Sequence, residues 1–214
     1  MAALHMAAPA RGARLHDRDS DRGAAAPRRM KDEAALRDFV AAQPAMLSLL
    51  QSVAAHGPPR AWIGAGFIRN AVWDACHGRA GDCATLADLD VVFFDVEDRR
   101  PQRDAAAESA LHAAAPGWPW SVTNQARMAA RNGHPPYADL ADAVAHWPET
   151  ATAVAARWSG GVEILAPHGV ADLLGMVLRP TPAFAARQHV LRARMESKRW
   201  LVRWPRLALA LTDA

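Results

Sequence analysis

Two aspartates one residue apart, Asp88 and Asp90, stand at the head of the apolar run Val91-Val92-Phe93-Phe94. Side chains at i and i+2 of a strand leave the same face roughly 6 to 7 Å apart along the chain, so this pair can aim two carboxylates at one point. Magnesium takes oxygen ligands and keeps substrate phosphates in its shell. A pair of such ions about 4 Å apart can stabilise both the attacking and the leaving oxygen of an in-line displacement at phosphorus. Upstream, Gly64-Ala65-Gly66-Phe67-Ile68-Arg69-Asn70 reads as a glycine turn opening a helix. Gly64 and Gly66 let the backbone approach phosphates with free N–H groups, and the helix start points its amides and dipole the same way. A glycine turn followed by an Asp-x-Asp strand is what metal-dependent nucleotidyl transfer needs. It gives a reaction class and no substrate.

Several strings, taken in order, resemble a bacterial family of uncharacterised nucleotidyltransferase-like proteins, a branch of the polymerase-beta-type nucleotidyltransferase superfamily. They are Ala65 to Asn70 with Trp73-Asp74, Asp88 to Asp95, Asn124 to Met128, Trp147 to Val154, Ala166 to Val170 with Asp172-Leu173, and Arg179 to Pro182. The resemblance covers about residues 36 to 206. It implies an α+β fold, a short mixed sheet flanked by helices with a C-terminal helical tail. It also implies Mg²⁺ or Mn²⁺ as cofactor, a nucleoside triphosphate as donor, and a hydroxyl acceptor that stays open. The superfamily pattern includes a third carboxylate on the strand after Asp-x-Asp. The polar residues there are Asn124 and Gln125. Asn124 is therefore expected at the nucleotide or the metal, with Glu163, ahead of Asp95, as the candidate replacement carboxylate. Asp95 lies at odd spacing from Asp88 and Asp90 and faces away in a regular strand. Without a third carboxylate, a catalytically degenerate nucleotide-binding or protein-interaction module of the same fold is the alternative.

Other residues carry two readings each. Arg69 and Asn70 contact a triphosphate, or Arg69 is a buried arginine paired with Asp74 or Asp95. Arg127, just past the Asn124 strand, meets substrate or pairs internally. Arg194 and Lys198, one helical turn apart, offer charge to leaving pyrophosphate or form a solvated face. Trp147 is the tryptophan placed to stack on a base, and His168 reads as structural. A dinucleotide-binding turn at Gly64-Ala65-Gly66 is disfavoured, because Arg69 occupies the third glycine position and the preceding strand is only about three residues long.

The elements that position these groups follow from pattern. Residues 1–30 lack apolar periodicity and read as a disordered extension, with one domain over 31–214. Helices are expected over 31–42, Pro44–His56, 67–76, Pro101–Ala114, 138–146 and from Thr181-Pro182 to about Trp200. Strands are expected over 61–63, from Asp88, over 120–125, and as a pair over 150–157 and 162–166 joined by Ser159-Gly160-Gly161. A net charge of +3, with basic residues in two clusters, does not indicate extended nucleic-acid binding. Cys76 and Cys83 lack metal-type spacing and read as reduced thiols. With neither a signal-peptide core nor a membrane-length apolar run, the expected location is cytoplasmic, away from membranes.

Overall fold

The computed structural model describes residues 30–79 and 86–211. The expected disordered extension lies outside the described residues except for Met30, which packs against the core. Cys83 also lies outside them, and Cys76 is a free thiol.

Two helices, α1 (Glu33–Ala41) and α2 (Pro44–His56), open the fold. Asp32 caps α1 by accepting from the Ala35 N–H, and Pro44 starts α2 where no intrahelical N–H is needed. Their apolar faces, Leu36 and Val40 on α1 and Met46, Leu50 and Val53 on α2, enter the main core. The chain then runs β1 (Trp62–Gly64), α3 (Gly66–Cys76), β2 (Leu89–Phe93), α4 (Pro101–Ala114) and β3 (Trp120–Asn124). After a 3-10 turn at Gln125–Arg127 come α5 (Met128–Asn132), α6 (Leu140–Ala145), β4 (Ala155–Trp158) and β5 (Val162–Leu165). The last elements are α7 (Ala171–Leu174), β6 (Val177–Leu178), a 3-10 segment (Pro182–Arg187), α8 (Gln188–Ser197), α9 (Trp200–Arg203) and β7 (Ala208–Leu209).

The main sheet has the order β3-β2-β1-β4-β5. β2 and β3 are parallel, as a helical crossover requires, and the other pairs are antiparallel. Register sets the faces. Ile63 pairs with Val91 and with Ala156, and Val91 pairs with Val122, so these residues share one face. That face belongs to the core built with α1, α2 and α4. Asp90, Val92, Ser121, Thr123, Trp62, Arg157 and Glu163 are on the other face. Among the described residues, no helix is long and apolar enough to cross a membrane.

The expected long terminal helix is instead three pieces. Thr181-Pro182 starts a 3-10 segment, α8 ends at Ser197, and Arg199 adopts a left-handed backbone (φ 51°) before α9. The break has a packing reason: it turns Trp200 and Trp204 inward, where both meet Trp73 edge-on, with ring centroids 6.0 and 5.1 Å away. Aromatic burial of this size outweighs helix propensity at two exposed positions. The expected strand over 150–157 shortens to β4 because the N–H groups of Thr152 and Ala153 both donate to the Glu149 carbonyl, curling the chain before the strand starts.

Candidate functional site

The glycine turn is shaped by contacts that the sequence alone does not show. β1 ends at Gly64, where an added Cβ would lie 2.7 Å from Cη2 and 3.0 Å from Cζ3 of Trp147. Gly64 is small because an indole ring occupies its side-chain space. Trp147 thus packs behind the turn and does not stand ready for a base. Ala65 takes φ 52°, ψ −118°, in the positive-φ region where a Cβ is strained, and its N–H donates to the Val154 carbonyl on the strand side. Gly66 begins α3, and a Cβ there would meet nothing closer than 3.6 Å. The first amides of α3 have no intrahelical acceptor, and this end of the helix, at Ala65 and Gly66, lines a cavity.

That cavity, about 410 Å³, is lined by Ala65, Gly66, Arg69 and Asn70 from the turn and α3, and by Leu86, Ala87, Asp88 and Asp90 from the entry to β2. Its remaining wall is the C-terminal segment: Arg194, Lys198, Trp200, Arg203 and Trp204. Asp88 is exposed just before β2 and Asp90 is partly buried within it. Among the described residues neither carboxylate has a hydrogen-bond or ion-pair partner. Burial, followed by the neighbouring Asp88 charge, pushes the Asp90 carboxyl up to about 6, while Lys198, Arg69 and Arg194 pull the other way. Two carboxylates held side by side and left unneutralised suit a hard divalent cation, so the donor set fits Mg²⁺ or Mn²⁺.

Arg69 is buried beneath this pair. Its Nη1 donates to Thr152 Oγ1 and its Nη2 to Asn70 Oδ1, both at 2.9 Å, and its Nε is buried without a partner. The guanidinium lies 4.4 Å from the Trp200 ring centroid and 5.4 Å from that of Trp73. Desolvation lowers its pKa to about 10, opposed chiefly by Glu149, so the charge persists at neutral pH. Arg69 therefore pairs with neither Asp74 nor Asp95. Glu149 is fully buried and accepts from Arg194 Nε at 2.6 Å. On the back of α3, buried Asp74 accepts from Trp204 Nε1 at 2.7 Å and Arg203 Nη2 at 2.9 Å. These links fasten the C-terminal segment against the cavity.

The structure thus brings together Asp88, Asp90, Gly66, Arg69 and Asn70, with Gly64 directly behind the turn. It separates three other expected residues from them. Asn124 belongs to the core-side face of β3, three positions beyond Ser121, the register partner of Asp90. Its side chain is fully buried, donating to the Asp95 and Asp98 carbonyls and accepting from the Asp95 and Ala126 N–H groups, so it shapes the loop after β2. Arg127 forms an ion pair with Asp104 of α4. Glu163 shares the open face with Asp90 but lies three strands away on edge strand β5, held by Arg157 Nε at 2.7 Å. A parallel β2–β3 pairing, implied by the helix between them, would have placed Ser121 and not Asn124 beside the aspartates. The C-terminal wall was partly announced by Arg194 and Lys198. Glu149 and Thr152 stood in the matching string Trp147 to Val154 with no role assigned, and Trp200 and Trp204 had no local signal, since these roles depend on the curl before β4 and on the broken helix. His168 donates to or accepts a proton from no described acid and contacts the Ala145 carbonyl at 2.9 Å, as a structural residue would.

Comparison with known proteins gives two matches and one absence. A family model described as "Nucleotidyltransferase" matches residues 51–209. A solved NMR structure, described as revealing a CCA-adding enzyme head domain, superposes with a TM-score of 0.73 at 27% identity, covering 85% of this chain and 97% of that one. None of the curated proteins searched matches the chain.

Proposed function

The chain belongs to a nucleotidyltransferase family of the polymerase-beta type, and from that premise we propose that it moves a nucleoside monophosphate from a nucleoside triphosphate to a hydroxyl acceptor. The observation that carries this reading is the unpartnered pair Asp88 and Asp90 facing the amide end of α3 across one cavity. A divalent cation, Mg²⁺ or Mn²⁺, would be held by these two carboxylates and would supply positive charge to the bound phosphates.

The residues of the chain do the rest. The free amides at the start of α3 and the side chain of Asn70 receive phosphate oxygens, acting as fixed dipoles that need no reorganisation. Lys198, exposed on the opposite wall, adds a mobile charge for the β- and γ-phosphates. Arg69 keeps the floor of the cavity positive while Glu149 and the two tryptophans hold it in place. The acceptor oxygen attacks the α-phosphorus, the bond to the bridging oxygen of the β-phosphate breaks, and pyrophosphate leaves with that electron pair. The acceptor proton passes to solvent.

A second reading, a nucleotide-binding module without turnover, is favoured by one fact: among the described residues no group of three or more acidic, histidine or cysteine side chains gathers to hold a metal. Thermal melts with each of the four nucleoside triphosphates, with and without Mg²⁺, test the common part of both readings. A Mg²⁺-dependent shift that is lost in Asp88→Asn and Asp90→Asn is expected. A ligand at 100 times its dissociation constant stabilises by about 2.7 kcal/mol, well within detection. No shift with any of the four would refute nucleotide binding at this site.

A further inference from the structure

The register of the sheet bears on how many cations the site takes. Asp90 and Ser121 are paired on parallel strands β2 and β3, so their Cα atoms are about 4.8 Å apart and their side chains leave the same face. A third carboxylate that shares a second cation with Asp90 would have to stand at this position, level with the aspartates on the adjoining strand. It is a serine, neutral and one bond shorter in reach. Among the described residues, two other candidate carboxylates are committed elsewhere: Glu149 is fully buried on Arg194, and Glu163 is held by Arg157 across the sheet. Among the described residues no third acidic ligand joins Asp88 and Asp90.

The opposite wall points the same way. Among the described residues the cavity wall carries two acidic side chains, Asp88 and Asp90, against Arg69, Lys198, Arg194 and Arg203, the last two held by Glu149 and Asp74. A single divalent cation cancels the charge of Asp88 and Asp90. A second would stand near Arg69 and Lys198 with no third carboxylate among the described residues to offset it, at a cost that rises in a partly desolvated cavity. Lys198 on that wall brings to the phosphates positive charge of the kind a second cation would supply.

Resting on the nucleotidyl-transfer reading above, we infer that this site takes one divalent cation and not a pair, and that Ser121 is the residue that sets the number. The test uses the full chain with a saturating α,β-methylene nucleoside triphosphate, titrated with Mn²⁺ and followed by the paramagnetic resonance of free Mn²⁺, with binding to the analogue alone subtracted. Wild type is expected to bind one Mn²⁺ per protein, and Ser121→Asp, or Ser121→Glu if the shorter variant does not fold, to bind two. Two ions on the wild type would overturn the inference while leaving nucleotidyl transfer standing. One ion on both folded variants would overturn the role given to Ser121. No ion on the wild type would instead remove the nucleotidyl-transfer reading on which the inference rests.

Discussion

Replacing Gly64 by alanine separates two explanations of the same glycine. One holds that Gly64 is there so that the backbone can approach phosphates; the other, drawn from the packing, that its missing side chain makes room for Trp147. A Cβ at this position would stand 2.7 and 3.0 Å from two carbons of the Trp147 ring and 3.4 Å from the Ala155 Cβ. Carbon pairs settle at roughly 3.5 to 4.0 Å, so the ring must retreat by about 1 Å. It has little freedom to do so, because the Trp147 carbonyl accepts from Thr181 Oγ1 at 2.7 Å and the ring Nε1 donates to Gln125 Oε1 at 3.5 Å. Overpacking of this kind costs about 1–3 kcal/mol, which for a domain of this size lowers the melting temperature by about 2–12 °C. The assay is a double-mutant cycle of thermal and urea melts on Gly64→Ala, Trp147→Leu and the pair. Once the ring is gone the alanine should cost almost nothing, giving a coupling of at least about 1 kcal/mol. Gly66→Ala, where the new methyl meets nothing within 3.5 Å, should melt at or above the wild-type temperature, since alanine is the better helix former. If Gly64→Ala melts like wild type yet no longer binds nucleotide, the packing argument is wrong and the phosphate explanation holds.

Other outcomes follow from the charges around the cavity. Asp90 has a folded pKa of about 6, above its unfolded value, so its contribution to stability is full below about pH 4 and is lost as pH rises through 6. Asp90→Asn should therefore stabilise the metal-free protein at pH 7.5 by about 1–3 kcal/mol and lose that advantage near pH 4, which paired melts at the two pH values would read; an unchanged or lower stability at pH 7.5 contradicts the account. Glu149→Gln leaves Arg194 and the buried Arg69 without their counter-charge and should cost about 3–5 kcal/mol in urea unfolding. Lys198→Ala, at an exposed position, should change stability by less than about 0.5 kcal/mol while weakening triphosphate affinity several-fold in calorimetric titrations; equal affinity would remove Lys198 from the phosphate wall.

What could be read from the sequence was what local physics decides. Pro44 and Pro101 fixed two helix starts, and α2 and α4 have the bounds their apolar spacing and prolines indicate. The Asp-x-Asp strand and the glycine turn came from spacing of two and from the need for a compact entry to α3, and the structure places both on one cavity. Asn124 was misplaced because the relation between β2 and β3 is set by a crossover, and one position of register decides which face a side chain takes. Glu163 was on the correct face and three strands too far, a distance that no local pattern encodes. The tryptophans of the C-terminal segment were hidden for a different reason. Their burial against Trp73 breaks a helix that propensity alone would continue, so tertiary contact overrules the local signal at Lys198 and Arg199.

The most direct test of nucleotidyl transfer at Asp88 and Asp90 is a labelling comparison. The protein is incubated with Mg²⁺, a mixture of hydroxyl-bearing acceptors, and nucleoside triphosphates labelled either at the α- or at the γ-phosphorus. The account predicts that α-label enters a product while γ-label appears only in pyrophosphate, and that both signals vanish in Asp88→Asn and in Asp90→Asn. Transfer of γ-label to an acceptor, or α-label transfer that survives in either variant, would contradict it.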